Sequence, residues 1–110
     1  MSLESKPVIE LPTISSIHVW QHGRVLSWYL MCSYLYYCLD FSAVSDDVYD
    51  AMAKKLLSVW DDIDHPHKYL ISKEDLAAGT LYGVSSLKYP LMIKNAAERV
   101  RDAKISSSKI

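Results

Sequence analysis

Tyr36-Tyr37-Cys38-Leu39-Asp40-Phe41-Ser42-Ala43-Val44-Ser45-Asp46-Asp47-Val48-Tyr49-Asp50 joins the end of one apolar segment to the capped start of another. Ser45 has the side chain of a good N-cap, and Asp46 and Asp47 behind it suit the positive end of a helix dipole. Val48, Met52, Leu56 and Val59 then recur at helical spacing, which predicts a helix to about Trp60. Upstream, Val25 to Leu39 carries no charged residue. It predicts the second half of a long helix that opens at Ser15 or Ser16 and ends near Leu39. Gly23 is its weak point, costing about 1 kcal/mol against alanine and marking a kink or a break. Asp40 to Val44 is the turn, so the centre of the chain reads as a helix-turn-helix core.

A helix apolar on every face has to be surrounded. Either the rest of the chain wraps it, as a long central helix, or it contributes to a homodimer interface. Trp20, Trp28, Tyr29, Tyr34, Tyr36 and Tyr37 suit an interface, since each has an apolar body and a polar edge.

The remaining segments are shorter. Residues 1–13 contain Pro7 and Pro12 without helical period and read as an extended arm, with Val8, Ile9 and Leu11 able to pack on the body. Asp61 to Ile71 is a loop broken by Pro66. Ser72 opens a short helix in which Asp75, three residues on, approximates a capping box, and Gly79 stops it. Thr80 to Val84 is a turn or a short extended piece. A last helix begins at Ser85 or Ser86, is interrupted near Pro90 and runs to about Lys104; Leu91, Ala96 or Ala97, Val100 and Ile105 form its thin apolar stripe. Residues 106–110 should fray. No repeat and no strand pattern is visible. The expectation is an all-α, compact helical domain of about four helices over residues 14–105.

Length and composition narrow the function classes. A chain of 110 residues supports one core but not a core plus a catalytic body. Its formal net charge of −1 gives no general attraction to nucleic acid or to an anionic membrane. Asp46, Asp47, Asp50, Asp61, Asp62 and Asp64 crowd the middle, whereas Lys94, Arg99, Arg101, Lys104 and Lys109 gather near the end. Such asymmetry steers a partner or simply marks two solvated faces. Cys32 and Cys38, six residues apart in an apolar run, face different ways and read as free thiols of a reducing cytosol. Residues 1–12 lack the basic-then-apolar pattern of a signal peptide, and Val25 to Leu39 falls short of the ~20 apolar residues of a membrane span. The expected location is the cytoplasm, with no membrane contact.

Asp46, Tyr49 and Asp50 stand at i, i+3 and i+4, so they share one face of the second helix and can converge on a ligand. Helix-dipole preference alone also accounts for acids at this position. From Arg24 to Trp60, about a third of the chain, the sequence resembles the small N-terminal domain of bacterial NAD-dependent DNA ligases. That domain carries a pattern close to Tyr-His/Tyr-x-x-Asp-x-Pro-x-Ile-Ser-Asp-x-x-Tyr-Asp and grips the nicotinamide mononucleotide half of NAD. The resemblance implies Tyr36, Tyr37, Asp46, Tyr49 and Asp50 as the cofactor-binding residues. Aromatic rings would stack on a cationic nicotinamide, and carboxylates would accept from ribose hydroxyls and offset the ring charge. Two positions depart from the family: Tyr37 stands where histidine is frequent, and Ser42 where the turn has proline. No Lys-x-Asp-Gly nucleophile motif occurs in these residues, so no covalent adenylate and no ligase catalysis is expected of them.

Other patterns are weaker. His65-Pro-His67 beside Asp61, Asp62 and Asp64 offers a metal reading or a solvated loop, and His18 and His22 at i, i+4 lack a third ligand. The basic end of the last helix lacks aromatic or glycine-rich support for DNA binding. The functional expectation is a non-catalytic helical interaction protein of the phage or mobile-element kind, homodimeric, modulating a host DNA-metabolism or defence enzyme. The alternative is a module binding NAD or nicotinamide mononucleotide without ligase activity.

Overall fold

The computed structural model describes residues 10–78 and 88–108, with side chains to residue 105. Among the described residues five α-helices follow in order: α1 Ile14–Val19, α2 His22–Cys38, α3 Asp46–Ser58, α4 Lys73–Ala78 and α5 Leu91–Ser108. Single 3-10 turns at Trp60–Asp62 and Lys68–Leu70 lie within the segment expected to be a loop. No strand occurs among the described residues, and the fold is all-α. Most of the arm, and the proposed turn at Thr80 to Val84 with the helix start at Ser85 or Ser86, lie outside the described residues.

The single long first helix of the sequence reading is two helices. Thr13, not Ser15 or Ser16, caps α1: its hydroxyl accepts from the Ser16 N–H (3.0 Å) while Ser16 Oγ accepts from the Thr13 N–H (2.8 Å). This reciprocal box satisfies two donors that the first turn leaves open. The break falls at Trp20 and Gln21, both extended, rather than at Gly23. It turns the Trp20 ring inward beside Trp28, with centroids 6.4 Å apart. Arg24 stacks on the Trp20 ring at 3.8 Å and pairs with Glu10 at 3.1 Å. Gly23 sits instead in the first turn of α2, where an added Cβ would meet only ordinary contacts with His65 and Asp64.

Over Val25 to Leu35, α2 is buried at every residue except Ser27, and the chain itself supplies the cover. It packs against α3 and α5, and α3 in turn packs against α1 and α4. Leu26, Leu30 and Leu35 are completely buried beside Met52 and Leu56 of α3. The apolar faces of this helix therefore do not require a second subunit. On α5 the inward stripe is Ile93, Ala97 and Val100, while Leu91 and Ile105, expected in that stripe, are exposed at 69% and 41%. α5 continues to Ser108, past the end near Lys104 that its period suggests.

Caps close the other ends. Ser45 Oγ accepts from the Val48 N–H to start α3. Ser72 and Asp75 exchange bonds of 3.1 and 3.0 Å at α4, completing the box expected there. After α2, Asp40 takes a left-handed backbone (φ 54°), and the Phe41 N–H returns to the Leu35 carbonyl at 2.9 Å. A short polar side chain tolerates that conformation and a β-branched one does not.

Two stability measurements check this account. Leu30→Ala, which empties a fully enclosed site, should lower the unfolding free energy by about 2–5 kcal/mol. Asp40→Val should lower it by about 1–2 kcal/mol, although Asp40 is exposed, because the cost lies in the backbone. Equal stability of wild type and Asp40→Val in a urea titration would contradict the second.

Candidate functional site

The last turn of α2, the turn after it and the first turns of α3 enclose a cleft of about 390 Å³. Its walls include Tyr36, Tyr37, Asp46, Tyr49 and Asp50, all five residues marked from the sequence, together with Cys32, Ser42, Ala43, Val44 and Asp47. Adjacent residues on a helix do not ordinarily face one another. Here the Tyr36 and Tyr37 rings meet edge to face, with centroids 4.8 Å apart, and Tyr36 remains half exposed.

Tyr49 forms the inner end of the cleft. One face of its ring stacks on Tyr29 at 4.6 Å, and its hydroxyl lies 2.6 Å from Ser33 Oγ. Ser33 donates to the Tyr29 carbonyl at 2.7 Å, so its single proton is committed and Tyr49 is the donor to Ser33. Burial raises the Tyr49 pKa, with the neighbouring Tyr29 acting the same way, and it pushes Tyr29 up to about 12. Both phenols thus stay neutral, and the Tyr49 ring packs as an aromatic surface on Tyr29.

The carboxylates stand at the outer side. Asp46, Asp47 and Asp50 are exposed on the first turns of α3, and Asp50 pairs with Lys54 at 3.2 Å. Lys104 of α5 donates to the Ala43 carbonyl at 2.8 Å, tying the turn to the last helix. Burial pushes the thiol of Cys32, also in the wall, up to about 12, which keeps it protonated. Cys38 is likewise free.

The arrangement holds no acid–base pair and no activated nucleophile among the described residues. Aromatic rings and exposed carboxylates line it together. Asp47, Ser42, Ala43 and Val44 were not singled out as site residues from the sequence. Asp47 has a sufficient helix-dipole role there, and the turn residues carry no chemical signature.

The histidine patterns resolve differently. His65 Nδ1 accepts from the His67 N–H at 3.0 Å, so Nε2 bears the proton and donates to Ser27 Oγ at 2.7 Å. With both ring nitrogens engaged, His65 is a structural link between the loop and α2. His18 and His22 fall on different helices, which removes their shared face. No group of three or more metal-ligating side chains forms among the described residues. No described helix is long and apolar enough to cross a membrane.

Comparisons with protein-family models, with curated proteins and with solved structures find no match to this chain.

Burial, then proximity to His67, lowers the His65 pKa, against a smaller opposing effect of Asp64. The unfolded chain takes up this proton near pH 6.5 and the folded chain only at lower pH. The contribution is intact above that value and is lost as the pH falls below it. Urea midpoints measured from about pH 7.5 to about pH 5 should fall more steeply for wild type than for His65→Gln. Parallel curves would remove His65 as the cause. Separately, Tyr49→Phe should cost about 0.5–1.5 kcal/mol, because Ser33 keeps its carbonyl partner and only the inter-helix bond is lost.

Proposed function

We propose that these residues form a non-catalytic binding module of the ligase-type nicotinamide domain, whose cleft holds the nicotinamide end of a nicotinamide nucleoside or nucleotide. One observation carries this reading: Tyr36, Tyr37, Asp46, Tyr49 and Asp50, marked by the sequence pattern, line a single cleft. A flat cationic ring would lie against phenol rings and gain cation–π attraction, while the carboxylates of α3 accept from ribose hydroxyls. A volume of about 390 Å³ suits a nicotinamide and its ribose better than a whole dinucleotide. The recurring Asp of the pattern, Asp40, is consistent with this kinship for a backbone reason, since the turn that builds the wall needs a left-handed residue there. The reading of a binding role is supported by the lack of a Lys-x-Asp-Gly motif in the sequence.

Isothermal titration with nicotinamide mononucleotide, nicotinamide riboside and NAD tests this. Saturable heat that falls at least about tenfold in affinity in Asp46→Ala and Tyr36→Ala is the expected outcome, since each removes a direct contact. Silence with all three at millimolar concentration ends the proposal.

A second reading rests on different residues. Leu91 and Met92 at the start of α5 are 69% and 74% exposed, and Val19 at the end of α1 is 81% exposed. Large apolar groups left in water in this way suit protein contact, whether with a host DNA-metabolism or defence enzyme of the cytoplasm or with a second copy of the chain. Light scattering across a concentration series, on wild type and on Leu91→Asp/Met92→Asp, separates the two. A dimer that the double change dissolves supports self-association, and a constant monomer mass removes it.

A further inference from the structure

The ten lining residues of the cleft include three carboxylates, three phenols and no lysine, arginine or histidine. This bears on which form of a nicotinamide ligand the cleft accepts. The riboside carries one positive charge on its ring and no phosphate. The mononucleotide adds a phosphate of about −1.5 to −2 at neutral pH, which makes the whole ligand anionic.

Resting on the nicotinamide reading above, we infer that the cleft selects the unphosphorylated pyridinium nucleoside over its 5′-phosphate, and that Asp47 is the residue setting this preference. Asp47 lies outside the five positions matched by the sequence pattern, yet it lines the cleft from the first turn of α3. No ion pair among the described residues engages Asp46 or Asp47; only Asp50 is paired, with an exposed Lys54.

Two features oppose the carboxylates. The α3 N-terminus contributes about +0.5 of a charge, part of which Ser45 already neutralises through its bond to the Val48 N–H. The Lys104 ammonium bonds the carbonyl of the wall residue Ala43 and its charge reaches the wall residue Cys32, although Lys104 is not itself among the lining residues. Asp46 and Asp47 line the cleft itself, whereas Lys104 acts on it through the wall. A phosphate of that charge held about 6 Å from one exposed carboxylate, at a dielectric near that of water (about 80), is disfavoured by roughly sixfold to tenfold.

Calorimetry of the full chain with nicotinamide riboside and nicotinamide mononucleotide, at low salt and at about 1 M salt, tests the inference. The riboside should bind about tenfold tighter at low salt, and the ratio should shrink toward unity at high salt. Asp47→Asn should narrow the low-salt ratio, and Asp47→Lys should reverse it, with circular dichroism checking that α3 persists. Equal or tighter binding of the mononucleotide overturns the selectivity and leaves the cleft as a nicotinamide site. An unchanged ratio in Asp47→Asn overturns the role of Asp47. Absence of binding by either ligand overturns the nicotinamide reading and this inference with it.

Discussion

A helix with no charged side chain from Val25 to Leu39 must be enclosed, and the rest of this fold is the means of enclosing it. α3 and α5 cover α2 directly, and α1 and α4 are held in place through α3. Full burial of Leu26, Tyr29, Leu30 and Leu35 leaves α2 little freedom to rotate or slide, because interiors are close-packed. The position of its last turn is fixed with it. Tyr36 and Tyr37 ride on that turn, so the geometry of the cleft follows from a packing constraint two turns away.

The polar link through Ser33 makes this coupling specific. A serine buried in an apolar helix needs a partner, and its own i−4 carbonyl supplies one while Tyr49 supplies the other. The Tyr49 ring is pressed against Tyr29 by the same contact, which sets the register of α3 on α2. At the other side, Lys104 holds the Ala43 carbonyl, so α5 also bears on the turn. The cleft is thereby built from one continuous stretch of chain but held by contacts from sequence positions far from it. Its back is neutral and rigid, its front anionic and solvated.

Much of the fold is legible along the chain because caps and periodicity are local. Ser45 before two aspartates, and Ser72 three residues before Asp75, are read correctly since a cap depends on side chains within one turn. The break between α1 and α2 is not legible. Trp20 and Gln21 are not helix breakers, and the chain extends there so that the Trp20 ring can be buried beside Trp28. Gly23 attracts attention as the weaker helix former but ends up inside the first turn of α2. On α5, Leu91 and Ile93 compete for the inward face, and only the seating of the helix on α2 decides for Ile93.

By itself the sequence determined the all-α class, the turn between α2 and α3, and the placing of Asp46, Tyr49 and Asp50 on one helix face, all consequences of interactions spanning four residues or fewer. Tertiary structure alone decided that α2 is covered by its own chain, that Tyr36 and Tyr37 join that acidic face across a common cleft, and that Asp47 belongs there too. The physical reason is that direction and solvent exposure are properties of packed surfaces. A side chain's type and spacing say what it can bind, but the neighbours that enclose it say whether it is free to do so.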